Sequence, residues 1–420
     1  MKNARCLFAI ALAVAVSTVA TMPAAKAAVG SAAVMRLKEN TLRLRFRGPF
    51  GERMGGGFFV DTNGWILANL STAEGAVQGL AETADGRKMP VKRVLAVSSK
   101  YDLVLLEAGG EREDALELAL EGASRPGLEV CGIGMAAGSG WLELQGRITS
   151  IGTTTNGLPL LQCSGWSARD AGGGPVADAQ GFVHGISTWN MVRKVYWSEL
   201  SRRWVTEPTE RTGCVPAPVM RRFLASPKTG MPLPEFGACH ANAEVANWLM
   251  LMCDTATDAM ILMQREVKAA GMEKRQFMQD NRGKLLSATP IHWRNIAGIA
   301  ESIRSLNELK TLAAQTMPAT AAGDARVRNA LRYFASAMQS MEETVAGIRA
   351  SDGLKGDGFW LKYDAVKNKF LQTNDFLYEA LKNAMTAWQM YGRYTTQPSY
   401  LPATDVQRTL KFLETRGEGG

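Results

Sequence analysis

The apolar residues of this 420-residue chain change their spacing once, near Cys239, and that change divides what the chain can fold into. Before it, apolar and polar residues alternate in short runs, the period of half-buried strands. Residues 41–47 (TLRLRFR) are the plainest case. Further strands are expected at 57–60, 65–70, 91–97 and 103–107, separated by turn sequences such as 61–64 (DTNG). A second series is expected at 128–133, 142–151, 160–163, 174–176 and 182–188. Two series of short, closely spaced strands predict two β-barrels over residues 28–226. A short helix is expected at 218–225, and the Pro-rich stretch 227–238 reads as a linker.

After Cys239 the spacing becomes helical. Val245, Leu249, Met252, Ala256, Met260, Met263 and Val267 share one face. Thr289 before Pro290, and Asp324, read as starts of a second and third helix, and the glycines of 352–358 as a stop before a fourth. The fold class is therefore an all-β double barrel followed by an all-α, four-helix bundle over 239–395, with a tail at 396–420. The methionines sit at core spacing and are expected to fill the bundle interior rather than form a binding groove.

The first 27 residues read as a secretory signal: Lys2 and Arg5, an apolar run from Leu7 to Met22, then Ala25-Lys26-Ala27 as a cleavage pattern. A periplasmic or secreted protein is expected. The net charge of +8 includes three charges in that leader, and no basic run alternates with aromatics, so no nucleic-acid footprint is expected. Five cysteines follow the leader: Cys131, Cys163, Cys214, Cys239 and Cys253. Their spacing fits no zinc knuckle, and neither metal nor other cofactor is implied. The reading for them is one disulfide plus buried thiols, with the pairing open.

Three segments carry chemistry. Residues 55–69 (GGGFFVDTNGWILAN) pair two strands across a tight turn. Residues 85–97 (DGRKMPVKRVLAV) lead into 101–106 (YDLVLL). Residues 161–162 and 173–188 (GGPVADAQGFVHGIST) close the series, with 215–218 (VPAP) ahead of a short helix. In this order and spacing they resemble the HtrA/Deg branch of trypsin-like serine proteases. The resemblance covers about residues 34–226 and implies a double barrel with a peptide cleft between its halves. No PDZ-like sequence follows.

Carried over position by position, the resemblance places the triad aspartate at Asp102. Ser71 stands where the family has its histidine, and Gly172 where it has its serine. A serine hydroxyl attacks a carbonyl only when a base takes its proton, and imidazole does so near neutral pH. Ser71 cannot act as that base and Gly172 has no side chain. A shift of register does not help, because the first histidine in the chain is His184. Asp102 is expected as a remnant bonded to backbone or to Ser71, and Gly172, Gly173 and Gly174 as a vestigial oxyanion or peptide loop. His184 reads as a polar residue on a strand, and His240 and His292 fall in the helical half.

The resulting expectation is a catalytically inactive pseudoprotease that binds, scaffolds or regulates a protein or peptide partner, with a helical domain that engages a partner or self-associates. Two alternatives stay open: a hydrolase with a non-standard active site, and a structural helical protein carrying a vestigial barrel.

Overall fold

The computed structural model describes residues 31–49, 51–109, 112–136, 140–154, 157–165, 172–198, 203–280, 290–293, 295–316 and 323–415. The leader read at 1–27 lies outside them. Six antiparallel strands form the first barrel: β1 (Thr41–Gly48), β2 (Gly51–Phe59), β3 (Trp65–Ala68), β4 (Gln78–Thr83), β5 (Lys88–Ser98) and β6 (Leu103–Ala108). They lie in the order β5-β4-β1-β2-β3-β6, and β5 closes the ring on β6. Alternation on β1 does what its sequence dictates: Leu42, Leu44 and Phe46 are buried inside, while Arg43 is half-buried and Arg45 and Arg47 face out. A single helical turn, α2 (Leu70–Ala73), follows β3 and carries the chain to the position of interest.

The second barrel closes in the order β10-β11-β12-β9-β8-β7, from β7 (Glu129–Ala136), β8 (Gly140–Thr153), β9 (Pro159–Cys163), β10 (Pro175–Ala177), β11 (Val183–Ser198) and β12 (Arg203–Pro216). The last two run well past the barrel wall as one hairpin, in register from Gly185↔Pro216 to Ser198↔Arg203. The sequence reading ended this strand at Thr188. Residues 189–198 place apolar and charged residues at both parities, so period-two reasoning has nothing to hold there. A helix, α1 (Ser31–Asn40), precedes β1 within the range read as barrel.

The expected short helix is α3 (Ala217–Ala225). The expected linker is largely absent. Met231–Pro232 adds to β5 as a two-residue strand, β13, and α4 (Leu233–Asp280) begins at once. Proline read as a breaker fits here because Pro234 sits in the first turn, where a missing N–H leaves no bond unmade. Leu233 and Phe236 on that turn, with Tyr394, complete the core of the first barrel, and the Phe236 and Tyr394 rings meet edge-on at 6.0 Å. The helical half is thus docked on the barrel through shared core.

The four expected long helices are α4, α5 (Ile296–Thr316), α6 (Ala325–Ser351) and α7 (Gly356–Tyr391). Asp324 caps α6 as read, accepting from the Arg326 and Val327 amides. The second helix starts later than Thr289-Pro290 implied. Pro290 pairs with Lys355, and Trp293 donates its amide to Asp352 and its indole N–H to Ser351, so the α6–α7 turn holds this stretch extended. Met252, Met260, Met263, Met338 and Met341 are buried in the bundle core. The expected tail is not free either: α8 (Ala403–Glu414) packs Val406 and Leu413 into that core. Among the described residues no helix is long and apolar enough to cross a membrane.

Candidate functional site: a closed Ser71–Asp102 pair

Asp102 lies in the tight turn between β5 and β6 and Ser71 in α2, and the adjacent strands bring them into contact. The Ser71 amide donates to Asp102 Oδ1 at 2.7 Å and its hydroxyl to Oδ2 at 3.0 Å. Thr188, from β11 of the second barrel, donates a third bond to Oδ2 at 3.0 Å. The Asp102 carbonyl accepts from the Leu70 amide and from the Asn69 side chain. These bonds hold Asp102 at a φ of 56°, a left-handed conformation that non-glycine residues adopt only when their surroundings impose it.

Asp102 is 4% exposed. Burial is the main cause that pushes its pKa up to about 7, the nearby Glu74 charge adds to it, and the bonds from Ser71 and Thr188 pull the other way. Glu74, at the end of α2, is itself buried and paired with Arg53 at 3.1 Å; the same guanidinium holds the Ser71 carbonyl at 2.7 Å. On its other side the Glu74 carboxylate accepts the Thr396 amide and hydroxyl and, at 3.4 Å, the Thr395 hydroxyl. Thr395 also reaches Glu244 of α4 at 3.1 Å. The segment after α7 is therefore clamped beside Ser71. The sequence reading missed Glu74, Arg53 and Thr188, because a lone charged residue or threonine gives no pattern until the fold brings the strands together.

The glycine loop packs flat on β2. Gly172 accepts the Gly56 amide at 2.8 Å, Gly173 donates to the Ser187 carbonyl at 2.8 Å, and Gly174 accepts the Ser187 amide at 2.9 Å. Gly173 has a φ of +81°, and a β-carbon there would sit 2.1 Å from the Gly56 carbonyl oxygen. Two glycine triplets, 55–57 and 172–174, thus allow backbone to approach backbone. The Gly173 N–H is already engaged, so it is not available to an oxyanion. Residues 166–171, just before the loop, lie outside the described residues.

His184 is buried on β11 and does not approach Asp102; it bonds to Ser124 and Asp178. His240 lies at the domain junction with Nδ1 3.2 Å from the Tyr394 carbonyl, and His292 meets Asp352 in the α6–α7 turn. All five described cysteines are free thiols in this structure, and Cys214 hydrogen-bonds to Cys163 on the neighbouring strand. Among the described residues no three His, Cys, Asp or Glu side chains are placed to hold a metal ion.

The comparisons with known proteins agree on one half of the molecule. The family model described as a trypsin-like peptidase domain matches residues 55–186. A probable periplasmic serine endoprotease, DegP-like, from Pseudomonas fluorescens is 27% identical over 151 residues, covering 34% of this chain and 32% of the relative. The like-named protein from Halomonas elongata is 27% identical over 151 residues, covering 35% of this chain. The chain thus spans about a third of the length of these relatives. Among solved structures, the HtrA-type protease AlgW with a tripeptide is 21% identical, with 46% of this chain and 61% of that chain covered and a TM-score of 0.38. Deg5 is 16% identical, with 46% of this chain and 90% of that chain covered and a TM-score of 0.36. Residues 55–186 thus match a trypsin-like peptidase domain, and the barrel half is similar to DegP-like endoproteases.

Proposed function

We propose that this chain is an exported pseudoprotease: a double barrel that cannot cleave peptide bonds and serves as a binding and scaffolding module, joined to a helical domain that presents or regulates it. One observation carries this reading. Both donors of Ser71 are engaged by Asp102, so the residue at the histidine position forms a closed pair with the remaining acid and offers no base to a neighbouring nucleophile. Gly172 supplies no hydroxyl on the other side. Loss of the triad leaves the strand edges that accept an extended peptide. The leader, together with the periplasmic naming of the relatives, supports export. The partner class is an unfolded or extended polypeptide of the cell envelope.

Fluorescence anisotropy with labelled, denatured casein tests the binding half of the reading. Saturable binding with the casein recovered at full length is expected. Absence of binding, or recovery of fragments whose formation follows the purified protein through successive columns, would remove it.

A further inference from the structure

The second barrel holds three residues that the Ser71–Asp102 site does not use. Asp178 follows β10, His184 is the second residue of β11, and Ser124 lies in the loop before β7. Asp178 Oδ1 accepts the amides of Gln180 and Phe182, both at 3.0 Å, which fixes the carboxylate and leaves Oδ2 for His184 Nε2 at 3.0 Å. His184 is 1% exposed and its Nδ1 lies 2.8 Å from Ser124 Oγ.

The proton positions follow from the chemistry of the groups. An ionised carboxylate only accepts, so Nε2 carries the ring proton. Nδ1 is then a lone pair, and Ser124 donates its O–H to it. This is the polarity of a nucleophile, a base and an orienting acid, with the two ring nitrogens interchanged relative to the serine-protease arrangement. The three roles depend on geometry, and here each contact is within hydrogen-bond reach. Ser124 is half-buried, and its loop is bounded by Gly122 and Gly127, where a β-carbon would meet nothing within 4 Å. Ser124 therefore sits half-buried on an exposed loop while its base is buried. His184 and Thr188 are four residues apart on β11, about 13 Å along a strand, so this cluster is separate from the Asp102 site.

We infer that Ser124 is an activated nucleophile and that the Ser124–His184–Asp178 cluster is a second centre, acting on small, activated acyl esters rather than on peptides. His184 Nδ1 takes the Ser124 proton as Oγ attacks the acyl carbon, and passes it to the departing alcohol. Water then attacks the acyl-serine; His184 takes its proton and returns it to Oγ as the carboxylic acid leaves. A general base of this kind is worth about a hundredfold or more.

The test uses the purified full-length chain with a fluorophosphonate probe and p-nitrophenyl acetate. A covalent adduct on the peptide containing Ser124 is expected, together with ester turnover that Ser124→Ala abolishes while circular dichroism stays native. His184→Asn should lower the labelling rate about a hundredfold. Because a buried substitution can unfold the chain, Ser124→Cys gives an independent readout. A histidine-paired thiol alkylates with iodoacetamide below the usual thiol pKa of about 8.5. Absence of an adduct on a folded chain, or an ordinary alkylation profile for Ser124→Cys, overturns the inference and leaves the cluster as a strut that pins the loop. Casein remains intact in either case, so the outcome is distinct from a failure of the pseudoprotease reading.

Discussion

Ser71 and Asp102 are joined twice, amide to Oδ1 at 2.7 Å and hydroxyl to Oδ2 at 3.0 Å, and Thr188 from the other barrel adds a third bond. A protease needs its acid to orient a histidine. Here the acid holds a serine, and the bond from Thr188 ties the two barrels together.

Asp102 makes stability fall as pH rises. Its carboxyl is pushed up to about 7 from 3.8, chiefly by burial, so the folded chain keeps a proton that the unfolded chain has lost. The stability this confers is complete below about pH 4, is lost as pH rises to about 7, and is constant above that. Asp102→Asn keeps an acceptor for the Ser71 amide, tolerates the positive φ and removes the charge. Its stability advantage over the native chain should widen between pH 5 and pH 8 by on the order of 2–3 kcal/mol in urea unfolding. Parallel pH profiles for the two proteins would show that Asp102 is already ionised at no cost.

Glu74 couples the barrel to the helical half, through Arg53 on one side and Thr395 and Thr396 on the other. Glu74→Ala should cost about 2–4 kcal/mol, since it leaves the Thr396 amide without its acceptor and Arg53 without its ion-pair partner. Hydrogen exchange should rise across residues 392–400 and stay unchanged in α6. Uniform loss of protection throughout the chain would argue against a local clamp.

Gly173 and Gly122 give a paired test of backbone approach. Their φ values are +81° and +79°, but a β-carbon at Gly173 would lie 2.1 Å from Gly56 O and one at Gly122 would meet nothing within 4 Å. Gly122→Ala should therefore cost about 1 kcal/mol, and Gly173→Ala about 1–3 kcal/mol more. Equal shifts in urea midpoint would mean the glycine loop does not rest on β2.

Cys163 and Cys214 report on the compartment. The hydrogen bond from Cys214 to Cys163 and burial together raise the Cys214 thiol pKa, and the two strands hold the sulfurs side by side. Protein recovered from an oxidising compartment should lack two hydrogens by intact mass, with these two thiols refractory to alkylation. Closing a loop of this length is worth about 4 kcal/mol on the chain-entropy account. Two alkylatable thiols in the exported protein would contradict either the proximity or the export.

Periodicity made most of the architecture legible. β1 and the face of α4 from Val245 to Val267 are each settled by spacing alone, because burial of one face is what selects them. Where spacing failed, a tertiary partner had taken over. The extended 290–293 stretch is held by Asp352 and Ser351, and the supposed linker folds because Leu233 and Phe236 fill the first barrel. The site was legible only as far as motifs reach. The Ser71–Asp102 contact was expected, whereas Glu74, Thr188 and the Ser124–His184–Asp178 cluster draw on residues up to 322 positions apart and carry no local signature.

The central claim is that the peptide-cleaving machinery is gone while its scaffold persists. Casein hydrolysis measured side by side for the native chain and for Ser71→His/Gly172→Ser tests it most directly. The native chain should release no fragments, and any cleavage should belong to the double variant, in which Asp102 again has a histidine to orient. Cleavage by the native chain that co-purifies with it would contradict the account, whether or not Ser124→Ala abolishes it.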